Sequence, residues 1–192
     1  GGLTPCMPNL HKNVVSLIGH APTERRYASG LFLFDRFCVV PTHIVTNCHH
    51  IQLDDDVYDV KELPEPLILG PELLLYHVPK ARQYKDIRRY IGIYPYSTGF
   101  LLSKHRGNAT YVRFSKNHTA PLWISGVQIE ERVYGYDCCT FAGLCGAPMV
   151  TDDPSGSKIL GVHVAGIPGS TGFSIPLHPF TEQIAAYATK SQ

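Results

Sequence analysis

Glycine and proline punctuate this chain closely enough that short elements are expected: 17 glycines and 15 prolines among 192 residues leave apolar stretches mostly five to eight residues long. Those stretches are rich in β-branched and aromatic side chains, which suit a pleated strand better than a helix. Twelve of them read as strands, at 13–18, 30–34, 37–40, 57–60, 66–69, 73–78, 110–114, 122–129, 133–138, 149–151, 159–164 and 172–176. Short strands at that density, without helices between them, predict an all-β fold of antiparallel barrels or sandwiches and not βαβ units. Asp35-Arg36 separates two apolar runs as a tight hairpin does, and Asp152, Asp153, Pro154, Ser155 and Gly156 form a turn between Val150 and Ile159. One helix is expected near the end, over 179–189, where Phe180, Ile184 and Tyr187 share a face and Pro179 opens the first turn. Between residues 80 and 106 the strand pattern lapses into mixed basic and aromatic residues. That stretch reads as a connector between two β-rich halves, 1–79 and 107–192.

A hydrophobic content of 44% can fill the core of a chain this long. Seventeen basic residues against sixteen acidic give a net charge of +1, so any attraction to nucleic acid or membrane has to come from a local patch. No apolar run has the length of a membrane helix and none resembles a secretory signal, so a soluble intracellular chain without membrane insertion of its own is expected. Six cysteines, Cys6, Cys38, Cys48, Cys138, Cys139 and Cys145, are few for the length and include an adjacent pair, which argues against a disulfide framework. Cys48, His49 and His50 are contiguous and no paired C-x-x-C knuckles accompany them, so no metal and no other cofactor is expected. Cys138 and Cys139 are assigned to packing.

Chemistry concentrates at Gly143-Leu144-Cys145-Gly146. Glycines on both sides of a cysteine let the backbone turn sharply, so that the thiol faces outward and amide N–H groups converge where an oxyanion could sit. Taken alone, such a cysteine is as often a small buried hydrophobe. Val39-Val40-Pro41-Thr42-His43 puts an imidazole just past an apolar strand, and Glu72 heads the apolar run Leu73-Leu74-Leu75. Alone, these are a surface histidine and a solvated strand end. In the order histidine, acid, cysteine they reproduce the chain order of a chymotrypsin-type triad.

Four segments together resemble the picornaviral 3C proteases, most closely those of enterovirus type, over nearly the whole chain. Asp35-Arg36-Phe37-Cys38-Val39-Val40-Pro41-Thr42-His43 is similar to the family segment that ends in the general base, and Glu72-Leu73-Leu74-Leu75 to its acidic member. Thr140-Phe141-Ala142-Gly143-Leu144-Cys145-Gly146 resembles the nucleophile motif, and Gly161-Val162-His163-Val164-Ala165-Gly166 the strand that reads the substrate. The resemblance implies a chymotrypsin-like pair of antiparallel β-barrels with short helices at both ends and the active site in the groove between them. It also implies a cysteine endopeptidase that cuts a viral polyprotein at Gln-Gly-type junctions through an acyl-thioester. The terminal Gly1-Gly2 and Ser191-Gln192 are consistent with release at such junctions. Cys145 is then the nucleophile, His43 the base, Glu72 its orienting acid, and the amides of Gly143, Leu144 and Cys145 the oxyanion donors. His163 and Thr140 receive the glutamine side chain, Tyr136 holds the imidazole, and the backbone of Val164, Ala165 and Gly166 pairs with the substrate. Host proteins are further candidate substrates, and the host cytoplasm, with the nucleus, is the expected place of action.

Residues 80–89 carry five basic side chains against Asp86. A charge cluster is ordinarily a solvated face. Tyr84-Lys85-Asp86-Ile87-Arg88, however, resembles the family segment that binds structured RNA at the viral 5′ end, and the resemblance extends that surface to Lys12, Arg82 and Arg89. Gln83 stands where the family carries a basic residue. Two other readings compete. A zinc-stabilised viral cysteine protease of 2A type would need metal-ligand pairs, and a non-enzymatic RNA-binding β-domain would need no triad.

Overall fold

A computed structural model describes residues 7–93, 96–151 and 158–191. Cys6, the two N-terminal glycines, Gln192 and the turn expected at Asp152 to Gly156 lie outside the described residues. Seven strands form the first half: β1 (Val14–His20), β2 (Arg25–Phe34), β3 (Phe37–Pro41), β4 (His50–Leu53), β5 (Asp56–Asp59), β6 (Leu67–Ile68) and β7 (Leu73–His77). They make one antiparallel sheet in the order β5-β4-β1-β2-β3-β7-β6. Six more, β8 (Gly99–His105), β9 (Asn108–Ile124), β10 (Val127–Asp137), β11 (Pro148–Thr151), β12 (Lys158–Ile167) and β13 (Thr171–Pro176), close into a barrel in the order β10-β13-β12-β11-β8-β9. Helices α1 (Met7–Asn13) and α3 (Thr181–Lys190) flank the strands, and a single turn, α2 (Thr42–Val45), follows β3.

Alternation along the strands separates three apolar clusters. Val15 and Leu17 of β1, Ala28 and Phe32 of β2, and Cys38 and Val40 of β3 pack inside the first sheet. Leu101, Phe114, Tyr136, Met149 and Leu160 fill the barrel. The alternate residues, Leu31, Leu33, Val39, Leu73 and Leu75 from one half and Leu102, Val150, Ile159, Val162 and Ile175 from the other, form the cluster that joins the halves, with Ile184 and Ala188 of α3 against it. A strand buried on both faces reads as a continuous apolar run, and for this reason Leu31 to Phe34 and Phe37 to Val40 carry hardly a polar residue. The Asp35-Arg36 hairpin forms as expected, with Phe34 paired to Phe37 and Asp35 at a φ of 47°.

Two expectations are corrected, and one strand was not foreseen. Residues 99–105 are not connector but β8, paired to β9 and β11, so the connector ends well before 106. Leu101 faces the barrel and Leu102 the joint between halves, which removes the alternation by which a strand is recognised. The strand expected over 122–129 is instead broken at Ser125-Gly126, where φ values of 52° and 79° turn β9 into β10. Strand β4 was hidden behind the Cys48-His49-His50 cluster, although Ile51 and Leu53 alternate inward.

Candidate active site

Strand pairing places the acid beside the base. Pro41 of β3 is opposite Leu73 of β7, and just beyond that pair the Thr42 amide donates to the Glu72 carbonyl at 2.9 Å. His43 is the second residue of α2, and its Nδ1 lies 3.4 Å from Glu72 Oε2. A one-turn helix leaves carbonyls without partners. Arg26 of β2 supplies them: its Nη1 donates to the carbonyls of His43 (3.3 Å), Ile44 (3.4 Å) and Thr46 (2.5 Å), while Nε holds Glu24 at 2.8 Å. Sequence reading missed Arg26, because no motif marks a side chain that caps a helix from another strand.

Cys145 approaches from the other half. Buried Leu144 anchors its loop, the Gly146 amide donates to the His163 carbonyl at 2.7 Å, and the Cys145 carbonyl accepts from Ser29 of β2 at 2.9 Å. Gly143 and Gly146 have φ values of 99° and 89°, a region open to glycine. A β-carbon on Gly146 would overlap the Ser29 carbonyl oxygen, so only glycine lets this loop sit against β2. The half-buried Cys145 Sγ lies 3.4 Å from the Val164 carbonyl, and its influence reaches the His43 ring. Cys145 and then Glu72 hold the His43 imidazole up to about 9, against the opposing effect of burial. Glu72 thus sits against His43, and Cys145 lies close enough to His43 to shift its titration.

The expected amide donors differ. Leu144 is excluded, since its N–H already donates to the Phe141 carbonyl at 3.2 Å. The amides of Gly143 and Cys145 have no partner among the described residues.

Behind the cysteine, His163 is 2% exposed. Its Nδ1 is 2.7 Å from the Tyr136 hydroxyl, which is 2.6 Å from Ser174 Oγ. Burial first, and then the charge of His43, push His163 down to about 3, so the ring is neutral at physiological pH. If Ser174 donates to Tyr136 and Tyr136 to Nδ1, the proton of the neutral imidazole sits on Nε2. Ser174 was not foreseen; it lies opposite both Tyr134 and His163, in the registers of β10 with β13 and of β12 with β13. Thr140 corrects an expectation. Its hydroxyl donates to the Ile167 carbonyl at 2.9 Å, so it closes the loop and is not a free donor to a ligand. Val164, Ala165 and Gly166 run past the end of β11, whose pairing with β12 reaches Val162, and leave one edge of β12 without a neighbouring strand among the described residues.

The basic segment is only partly a surface. Lys12, Arg82, Lys85 and Arg89 are exposed. Ile87 is fully buried and its amide donates to Leu33, so its place in the family segment reflects packing and not contact with a ligand. Asp86 accepts both from the backbone of Arg88 and from its guanidinium, at 2.7–3.0 Å. Tyr84 stacks on Phe32 with centroids 4.0 Å apart, and Arg82 lies over its other face, 4.0 Å from the centroid. Cys38, Cys48 and Cys138 are buried free thiols, whereas Cys139 is exposed and does not pack as expected.

Comparison with known proteins agrees with this geometry. The family model of the 3C cysteine protease (picornain 3C) matches residues 7–167. The genome polyprotein of Salivirus A is 33% identical over 193 residues, covering 97% of this chain and 8% of that polyprotein. That of human rhinovirus 14 is 28% identical over 186 residues, covering 88% and 8%. The chain thus spans about 8% of the length of these curated relatives. The HRV-C 3C protein solved with rupintrivir superposes with a TM-score of 0.65 at 21% identity, over 88% of this chain and 93% of that one, a likeness that concerns the fold. Residues 7–167 thus put the chain among the 3C cysteine proteases, the picornain 3C family, with a chymotrypsin-like fold.

Proposed function

We propose that this chain cleaves the viral polyprotein it derives from after glutamine and before glycine, with Cys145 as nucleophile. The observation that carries the glutamine reading is the buried, neutral His163 held by Tyr136 and Ser174. A neutral N–H donor welcomes a side-chain amide, whereas a carboxylate buried there would lack a counter-charge. Substrate pairs with the open edge of β12 by strand addition. The Cys145 sulfur attacks the scissile carbonyl, and the amides of Gly143 and Cys145 receive the oxyanion, each donor lowering the barrier by about 3 kcal/mol. His43, charged at neutral pH, gives its proton to the departing amine and then, neutral, takes one from the water that hydrolyses the acyl-thioester. Glu72 keeps the ring oriented throughout. Such substrates locate the activity in the host cytoplasm.

Paired peptides ending their unprimed side in Gln or Glu test this. The glutamine peptide is expected to be cut at least about 100-fold faster, and His163→Ala to lose glutamine cleavage while keeping the circular dichroism of the wild type. Equal rates on both peptides would refute the pocket assignment. The pH profile is a second check. The His43 pKa is raised above the free value of 6.5, so the protonated ring and its stabilisation are present below 6.5 and are lost as pH passes about 9. Accordingly kcat/KM is expected to fall on an alkaline limb near pH 9; a limb near 6.5 would contradict the arrangement.

A second binding role has narrower support. Arg82 Nη2 donates to the Lys12 carbonyl at 3.3 Å, so the end of α1 and the basic segment form one surface with exposed Lys12, Arg82, Lys85 and Arg89. We propose structured viral RNA as its ligand. Affinity is expected to fall steeply with added salt and further in Lys85→Ala, as phosphate contacts require; salt-independent binding in a gel-shift titration would count against it.

A further inference from the structure

A cavity of about 620 Å³ borders the oxyanion loop, lined by Arg25, Tyr27, Lys104, His105, Arg106 and by Phe141 to Gly143. Gly143 fixes its relation to the reaction. The β-carbon position of this residue, whose amide is free for the oxyanion, lies 3.9 Å from the Tyr27 carbonyl. Gly143 and Tyr27 both line the cavity, so it adjoins the residue that offers the oxyanion its amide.

No carboxylate lines it. Arg25 opens β2 and Arg106 is the tip of the β8–β9 hairpin, at a φ of 51°. Both are exposed, and neither has an ion-pair partner among the described residues. Glu24, the acid nearest Arg25 in the chain, is held by Arg26. Lys104 is half-buried and feels Asp54, which lies in the adjoining cavity with Asp55; Lys104 and Arg106 line both cavities, so part of their charge is answered there and Arg25 is the guanidinium that lines this cavity alone. Unpaired guanidiniums beside the oxyanion loop are a recognition element for negative charge.

We infer that this cavity is the primed-side subsite and that it selects substrates carrying acidic residues two to four positions after the scissile bond. The inference rests on the glutamine-cleavage reading above. Three peptides sharing one Gln-Gly junction and differing only in acidic, neutral or basic primed residues test it. At low ionic strength the acidic peptide is expected to exceed the neutral one roughly fivefold in kcat/KM, a ratio typical of a few exposed charge pairs, and salt is expected to erase the difference. Arg25→Glu with Arg106→Glu, both outside the catalytic machinery, is expected to reverse the order.

A glutamine anilide, which has no primed residues, reports the underlying activity separately. Turnover of the anilide with equal rates on the three peptides would overturn the subsite assignment alone, and failure to cleave any of the four would overturn the glutamine reading with it. Equal inhibition of all three peptides by a short single-stranded RNA, with no charge preference among them, would give the cavity to nucleic acid and overturn the assignment as well.

Discussion

Cys145→Ala is expected to lower kcat/KM on a Gln-Gly peptide by at least about 10⁴-fold and to leave the fold intact. The thiol is half-buried, lies against the Val164 carbonyl and packs only at the margin of the first-half core. The backbone bond from Ser29 to the Cys145 carbonyl survives the change, so the loop keeps its seat on β2. Among the described residues no buried thiol can substitute for it: burial raises Cys138 to about 11, and pushes Cys38 and Cys48 up as well. The variant also removes the largest influence holding up the His43 pKa, so an NMR titration should find that ring closer to its free value of 6.5. Retained peptide hydrolysis by a folded Cys145→Ala protein would show that another group attacks.

Gly146→Ala is expected to be nearly as damaging for a different reason. At a φ of 89° an alanine pays about 1–2 kcal/mol in backbone strain, and its β-carbon would overlap the Ser29 carbonyl. Relief requires the loop to retreat from β2, which breaks the Ser29–Cys145 bond and draws the sulfur away from His43. The variant should lose most activity, at least about 100-fold, together with several degrees in Tm. Gly169→Ala separates strain from contact. Its φ is 79°, but nothing lies within 4 Å of the added carbon, so a small drop in Tm with activity retained is expected. Equal activity loss in both variants would show that the contact with β2 is not what matters.

Much of this was legible in the sequence, and the exceptions share a cause. Continuous apolar runs found strands such as β1 and β7, whose alternate residues face two cores. The same signal failed at β8, where Leu101 and Leu102 face two different cores within a mixed basic and aromatic stretch, and at the β9–β10 hairpin, where the apolar residues around Ser125-Gly126 concealed the turn. The cysteine, histidine and glutamate were readable because glycine spacing and strand ends constrain where such residues are useful. What supports them was not readable. Arg26, Ser29 and Ser174 act through backbone carbonyls, backbone amides and a buried hydroxyl chain that only strand register brings together. Local hydrogen bonding likewise removed Leu144 and Thr140 from the roles given them, since the Leu144 amide and the Thr140 hydroxyl are occupied by Phe141 and Ile167. Ile87 illustrates a further limit, because an apolar residue within a charged segment belongs to the core before it belongs to any ligand surface.

The pairing of one sulfur with one charged imidazole across the two halves can be measured directly. Intact-mass analysis after incubation with a glutamine peptide bearing a chloromethyl ketone should show a single adduct, mapped by digestion to Cys145, absent from Cys145→Ala and slowed in His43→Ala. An adduct that persists in Cys145→Ala, or one that maps to exposed Cys139, would contradict it.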